Sequence, residues 1–253
     1  MHERLRAAVF LLGALLIWEL AARFGPWPHA LLPGPFAVAA RLAALAADGR
    51  LGAGVARSLV RLAQGYGLSV ALGVPLGVAL ARSPLVRSVL RPATIGLQAL
   101  PSVCWLPLAA LWFGLSEAAI VFVVLAGSLL AVAIATEDAV SGVDPGLLRA
   151  AGTLGIRGAR FHLGVLLPSA LPGILTGLKL GWSFAWRALM AGELLFPAGG
   201  LGQLLNAGRA RADPAQLLGV IAVIVALGVL VDQVLFRLLE VRVRRRWGLA
   251  TAT

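Results

Sequence analysis

Six stretches of this chain come close to or exceed the roughly 20 predominantly apolar residues that a helix needs to cross a hydrocarbon core about 30 Å thick. They cover residues 7–24, 58–81, 91–113, 117–136, 171–195 and 215–239. Within 253 residues this leaves no room for a soluble domain of ordinary size. Apolar residues make up 60% of the chain and charged ones 13%, against roughly 45–50% and 25% in soluble domains. The stretches are continuous and rich in Leu, Ala and Gly, without the two-residue alternation of a membrane β-barrel. An all-α membrane protein of about six transmembrane helices is expected, as a single domain over residues 1–253.

Glu19 near the end of the first stretch, with no clean small-residue cleavage site behind it, favours a retained helix over a removed signal segment. Pro26, Pro28, Pro33 and Pro35 mark a loop, followed by an Ala/Leu helix too short to span that ends near Asp48-Gly49. The net charge of +11 is read as loop charge rather than as a nucleic-acid footprint. With the N-terminus inside, one side carries Arg4, Arg6, Arg82, Arg87, Arg91, Arg149, Arg157, Arg160, Arg237, Arg242, Arg244, Arg245 and Arg246. The other carries Arg23, Arg41, Arg50, Arg57, Arg209 and Arg211. This asymmetry predicts that both termini are cytoplasmic.

The segment 137–167 is then a cytoplasmic loop. Asp144-Pro145 is a helix-start signal, followed by Leu147, Leu148, Ala150, Ala151 and Leu154. The helix is expected to break at Gly155, and a second basic piece, Arg157 to Leu167, to end at Pro168. A short amphipathic helix outside the membrane requires a partner for its apolar face.

At this loop the sequence resembles the membrane subunits of bacterial ATP-binding-cassette importers, whose signature reads E-A-A, three residues, G, nine residues, then I-x-L-P. Arg149-Ala150-Ala151, Gly155 and Val165-Leu166-Leu167-Pro168 keep that spacing, with Arg149 in place of the usual Glu and Val165 in place of Ile. Leu32-Pro33-Gly34-Pro35, Pro92, Gln98, Pro101 and Pro107, Leu111-Trp112-Phe113-Gly114, Gly200-Leu201-Gly202 and Arg246-Trp247 look like the nitrate/sulfonate/taurine-type branch. The resemblance implies a type I importer permease fold whose coupling loop (Arg149, Ala150, Ala151, Gly155, Leu167, Pro168) docks on an ATPase subunit. It also implies two ATPase subunits that carry ATP and Mg, a second permease copy, and a periplasmic or lipid-anchored binding protein. The setting would be the bacterial inner membrane.

The residues themselves suggest where a substrate path would run. Pro101 and Pro107 interrupt the third stretch, placing Gln98 and Ser102 beside a break that membranes tolerate where a cavity is lined. In the fifth stretch Gly173, Gly177 and Gly181 form a small-residue packing face. At about 100° per residue, Lys179, Trp182, Trp186, Met190 and Glu193 form a stripe on the opposite side, with Arg187 at its edge. Charges inside a span usually face a bundle interior or water, so this stripe is the candidate translocation surface. Arg57 and Arg61, one turn apart, are candidates to attract an anion.

No phosphate-binding G-x-x-x-x-G-K-[ST] loop occurs, so ATP chemistry is not expected on this chain. His2, His29 and His162 form no metal-ligand pattern, Cys104 is the only cysteine, and no catalytic constellation is recognisable. The expected function is that of an importer permease, with a small anion such as a sulfonate, taurine or nitrate favoured by Lys179 and Arg187. The alternatives are the same importer class carrying a vitamin-precursor heterocycle, and an ion-coupled secondary transporter using Lys179, Arg187 and Glu193 as a charge relay. No inverted repeat supports the last of these.

Overall fold

The computed structural model describes residues 2–26 and 31–246. Pro28, His29 and Trp247 lie outside the described residues. All regular structure among those described is helical. The helices are α1 (His2–Phe24), α2 (Pro35–Ala47), α3 (Arg50–Arg82), α4 (Pro84–Gln98), α5 (Leu106–Phe113) and α6 (Glu117–Ser141). They continue as α7 (Pro145–Thr153), α8 (Gly158–Phe161), α9 (Leu167–Leu195), α10 (Leu201–Ala210), α11 (Pro214–Leu230) and α12 (Arg237–Arg246). A 3-10 turn, Ser102–Trp105, leads into α5. Wider π-helical turns at His162–Leu166 and Val231–Phe236 join α8 to α9 and α11 to α12.

Four helical runs are long and apolar enough to cross a membrane: Arg50–Arg82, Glu117–Ser141, Gly158–Leu195 and Pro214–Val243. A fifth candidate is the pair Pro84–Gln98 and Ser102–Phe113, bent by 101°. Against the six spans expected, the first stretch forms α1, which is not among these five. The third stretch is not one kinked span over 91–113 but two helices. Pro101, which lacks a donor, stands at the break, and Pro107 opens α5. Pro92 sits inside α4 without interrupting it.

Pro168 also corrects an expectation, since helix continues through it from Gly158 to Leu195. The π turn ahead of α9 widens the hydrogen-bond ring just where the proline donor is missing. Glu137–Ser141 likewise belongs to α6 rather than to the following loop.

The described residues form two compact units, one drawn from within 1–57 and 199–226 and the other from within 58–198 and 227–253. In the first, Trp18 Nε1 donates to the Pro33 carbonyl at 3.1 Å, and Glu19 pairs with Arg23 one turn along α1. Arg41 of α2 meets Asp213 at 2.7 Å and the Gln216 side chain at 2.9 Å. α2 ends as expected, with Asp48 as its cap and Gly49 at φ +72°.

The second unit is organised around α6. A Cβ at Gly173, Gly177 or Gly181 of α9 would lie 2.8, 2.5 and 2.5 Å from side-chain atoms of Ala139, Ala135 and Val132. On α3, Gly65 and Gly73 are equally tight against α6, where a Cβ would reach 2.7 Å from Val124 and 2.8 Å from the Leu129 carbonyl. A hydrogen bond of 2.7 Å between Ser69 and Ser128 also joins these helices. Helices in lipid gain little from hydrophobic association, so close approach through small residues and interhelical hydrogen bonds hold them together.

One charged network lies inside this unit. Glu193 is fully buried, accepts from Ser58 at 2.8 Å and pairs with Arg61 at 3.0 Å. Arg61 also pairs with Glu117 at 2.7 Å and donates to the Ala198 carbonyl. Glu193 thus does not face a path, and Arg61 receives its anions from the chain, which corrects both expectations. The wheel angle of Glu193 is unchanged, but α3 covers that side of α9 at its C-terminal end.

Two stability outcomes follow. Gly177→Leu should lower the thermal midpoint in detergent by several degrees through overpacking of about 1–3 kcal/mol, whereas Leu180→Ala, at a half-exposed site, should change it little. Glu193→Gln should cost about 3 kcal/mol by leaving a buried guanidinium short of charge. Glu117→Gln should cost under about 1 kcal/mol, because the Glu117 side chain is 68% exposed. Equal melting shifts for the two Gln variants would contradict this ranking.

Candidate functional site

The first element of the site is the loop around α7. Asp144 caps the helix by accepting from the Gly146 N–H at 2.8 Å, and Pro145 occupies the first turn. At the other end the Ile156 N–H donates to the Ala151 carbonyl and the Gly155 N–H to the Gly152 carbonyl, both at 3.1 Å. Gly155 has φ +72°. These two bonds with a left-handed residue after the cap form a Schellman closure. The spacing of Ala151 and Gly155 fits this closure: Ala151 supplies the carbonyl that accepts its outer bond, and Gly155 is its left-handed residue. No atom lies within 4 Å of the Cβ position at Gly155, so the glycine is required by conformation and not by space.

The faces of α7 divide clearly. Leu147, Ala150 and Leu154, at i, i+3 and i+7, are exposed, the last at 77%. Leu148 packs on a buried cluster of Val140, Val143, Leu166, Ala170 and Ile174. Ala151 is buried too, at 4% exposure. Of the residues expected to dock, Arg149, Ala150 and Gly155 are therefore exposed. Ala151 faces this chain, and Leu167 and Pro168 are half-buried in the first turn of α9.

Near α7, Glu137 of α6 is buried and meets Arg87 and Arg91 of α4 at 3.2 and 2.9 Å. The Arg82 guanidinium lies over the Phe161 ring, 5.5 Å from its centre. Sequence reasoning assigned Glu137 to a loop and missed this link. The available signal was a carboxylate continuous with an apolar helical run, which requires a cation.

The second element is a cavity of about 280 Å³ at the break between α4 and α5. Gln98, Pro101 and Ser102 line it from the broken segment, Gly127 from α6, and Phe184 and Arg187 from α9. Arg187 also lines a cleft of about 360 Å³ with Trp182, Ser183, Trp186, Gly228 and Asp232. Its Nε donates to the Ser183 carbonyl at 3.1 Å, and its guanidinium stands 4.6 Å from the centre of the Phe184 ring.

The remaining stripe residues divide between other roles. Lys179 is paired with Asp232 at 3.1 Å, a partner the sequence reading missed although an acid in the middle of an apolar run called for one. Trp182 and Trp186 stack with ring centres 6.2 Å apart, and Tyr66 meets Trp182 edge-on at 5.6 Å. Met190 packs against the buried cluster containing Leu189 and Val123. Lys179, Arg187 and Glu193 do not form a relay, because Lys179 and Glu193 are each held by a different partner.

Residues 73–245 match the family of binding-protein-dependent transport system inner membrane components. The chain is 33% identical over 224 residues to the taurine transport system permease protein TauC of Escherichia coli (strain K12), covering 86% of this chain and 81% of that protein. It is 29% identical over 193 residues to the bicarbonate transport system permease protein CmpB of Synechocystis, covering 73% and 69%. Its fold is similar to a chain of the inward-facing MetNI methionine ABC transporter, with a TM-score of 0.68 and 22% identity over 76% of this chain and 95% of that one. The chain belongs to the binding-protein-dependent ABC importer permeases.

Proposed function

We propose that this permease forms the path for a small oxoanion and takes its driving force from a separate ATPase subunit that docks on α7. The observation that carries this reading is the exposed Leu147, Ala150 and Leu154 stripe on a helix closed by Gly155. An apolar stripe on a short helix between apolar spans needs a protein partner, and α7 leads through α8 and the π turn into α9. Two such chains, two ATPase subunits holding ATP and Mg, and a periplasmic or lipid-anchored binding protein complete the proposed importer. Residues 1–253 act as its permease domain in the bacterial inner membrane, with both termini and the 137–167 region cytoplasmic. The oxoanion is supported by the similarity to the taurine and bicarbonate permeases.

Docking is tested by co-purification of the ATPase with the detergent-solubilised chain. Ala150→Glu should reduce both ATPase capture and transport by at least about tenfold, since it places a charge in an apolar contact. Gly155→Val should do the same by straining a left-handed position, at about 1–3 kcal/mol. Ala151→Glu should instead reduce expression, because that site is buried within this chain. Normal ATPase capture by Ala150→Glu would refute the docking role.

Orientation is tested with single cysteines in a Cys104→Ala background. A cysteine at the exposed Ala210 should react with an impermeant thiol reagent added to intact cells, and one at Ala150 only after lysis. The opposite pattern would invert the topology.

A further inference from the structure

We infer that Arg187, with Gln98 and Ser102, forms an oxoanion-binding site in the cavity at the broken span, and that Lys179 plays no part in it. The inference rests on the permease reading and specifies where in this chain the anion is recognised.

Charge accounting leads to Arg187. Of the cations in the helical runs of the second unit, Arg61 is held by Glu193 and Glu117, Lys179 by Asp232, and Arg87 and Arg91 share the one carboxylate of Glu137. Among the described residues no carboxylate lies within 4.0 Å of the Arg187 guanidinium nitrogens, although Arg187 is the 21st residue of a 29-residue apolar helix. A cation in such a position is costly unless it meets water or an anion.

Geometry supports the same assignment. The Nε bond to Ser183 and the contact with the Phe184 ring fix the plane of the guanidinium. The two terminal nitrogens remain as a fork of the kind that binds oxoanions in a bidentate manner. The same cavity holds the Gln98 amide and the Ser102 hydroxyl, both able to donate to oxygen. Gly127 lets α6, α9 and the 3-10 turn meet closely beside the cavity, since a Cβ there would stand 2.9 Å from Ala188 and 3.2 Å from the Ser102 Cβ. The ligand class is therefore a compact oxoanion, such as an alkanesulfonate, with a fork-accepting head and a small body.

The test uses the full chain in nanodiscs of phosphatidylcholine, with Cys104→Ala removing the exposed native thiol and Ser102→Cys as reporter. Its reaction rates with an anionic sulfonatoethyl methanethiosulfonate and a cationic trimethylammonioethyl analogue are each divided by the rate with free cysteine. The anionic reagent should be favoured by about tenfold, the size expected for a unit charge nearby at intermediate dielectric. Arg187→Gln should bring the ratio close to one, Arg187→Lys should retain most of it, and Lys179→Met should change it by less than about twofold. Millimolar ethanesulfonate should slow modification with Arg187 present and not with Arg187→Gln, and should still do so when phosphatidylglycerol is added.

An unreactive reporter, a ratio at or below one, or a ratio unaltered by Arg187→Gln would overturn the site. So would loss of ethanesulfonate protection in phosphatidylglycerol, which would make the ligand a lipid headgroup. Failure of the ATPase to co-purify, with the charge ratio intact, would refute the docking reading and leave the anion site standing. An altered ratio only in Lys179→Met would move the site to Lys179.

Discussion

Close contact between backbones along α6 is the constraint on which the second unit depends. Lipid solvates apolar side chains as well as another helix does, so a helix pair needs intimate packing to stay associated. Glycines on α3 and α9 bring both helices onto α6, at separations where a Cβ would overlap Ala135, Val132 or Val124. Ser69 and Ser128 hydrogen-bond across one of these contacts, one hydroxyl donating to the other, whose own proton is free for a carbonyl one turn back in its helix. With its glycine face held in this way, α9 presents its other faces to α12, to the Val231–Phe236 turn and to the cavities. The position of Arg187 follows from where the glycines lie.

The charges in the spans show how packing selects among them. A buried ion pair recovers its desolvation cost only with good geometry and further hydrogen bonds. Arg61 and Glu193 meet that condition, with Ser58, Glu117 and the Ala198 carbonyl completing their shells. Glu137 is served by two guanidinium groups that are themselves partly exposed. Both arrangements tie helices together, and each cation in them already has a carboxylate beside it. Arg187 differs because its contacts on α9 restrain it without neutralising it.

Local features of the sequence were the most legible. The Asp144-Pro145 start and the Ala151-to-Gly155 spacing specify hydrogen bonds between near neighbours, so reading them required no knowledge of other helices. The glycine face of α9 was legible for a similar reason, because a four-residue spacing already defines a side. The stripe opposite it was only partly informative. A helical wheel gives the direction of a side chain but not what stands before it, so Glu193 and Lys179 were assigned to a path when Arg61 and Asp232 already occupied those directions. Prolines were ambiguous in the same way. Pro75, Pro92 and Pro172 lie within helices, while Pro101 stands at a 101° bend, and which of them breaks a helix depends on whether neighbours take up the freed carbonyls.

Continuity of backbone relates the two elements of the site. From Leu167 to Arg187 the helix rises about 30 Å, at roughly 1.5 Å per residue, so a displacement imposed near α7 reaches the cavity through a single rigid element. The π turn at His162–Leu166 lies between them, and such turns are frequent at functional sites. α4 offers a second connection, since Arg87 and Arg91 bind Glu137 near α7 while Gln98, two turns further along, lines the cavity. Arg187 and Gln98 therefore stand on different helices, each tied to the α7 region by a different kind of contact: covalent continuity for α9 and ion pairs for α4. A force applied at α7 that moved these helices unequally would change the width of the cavity between them, as the proposed site requires in order to close on an anion and then release it.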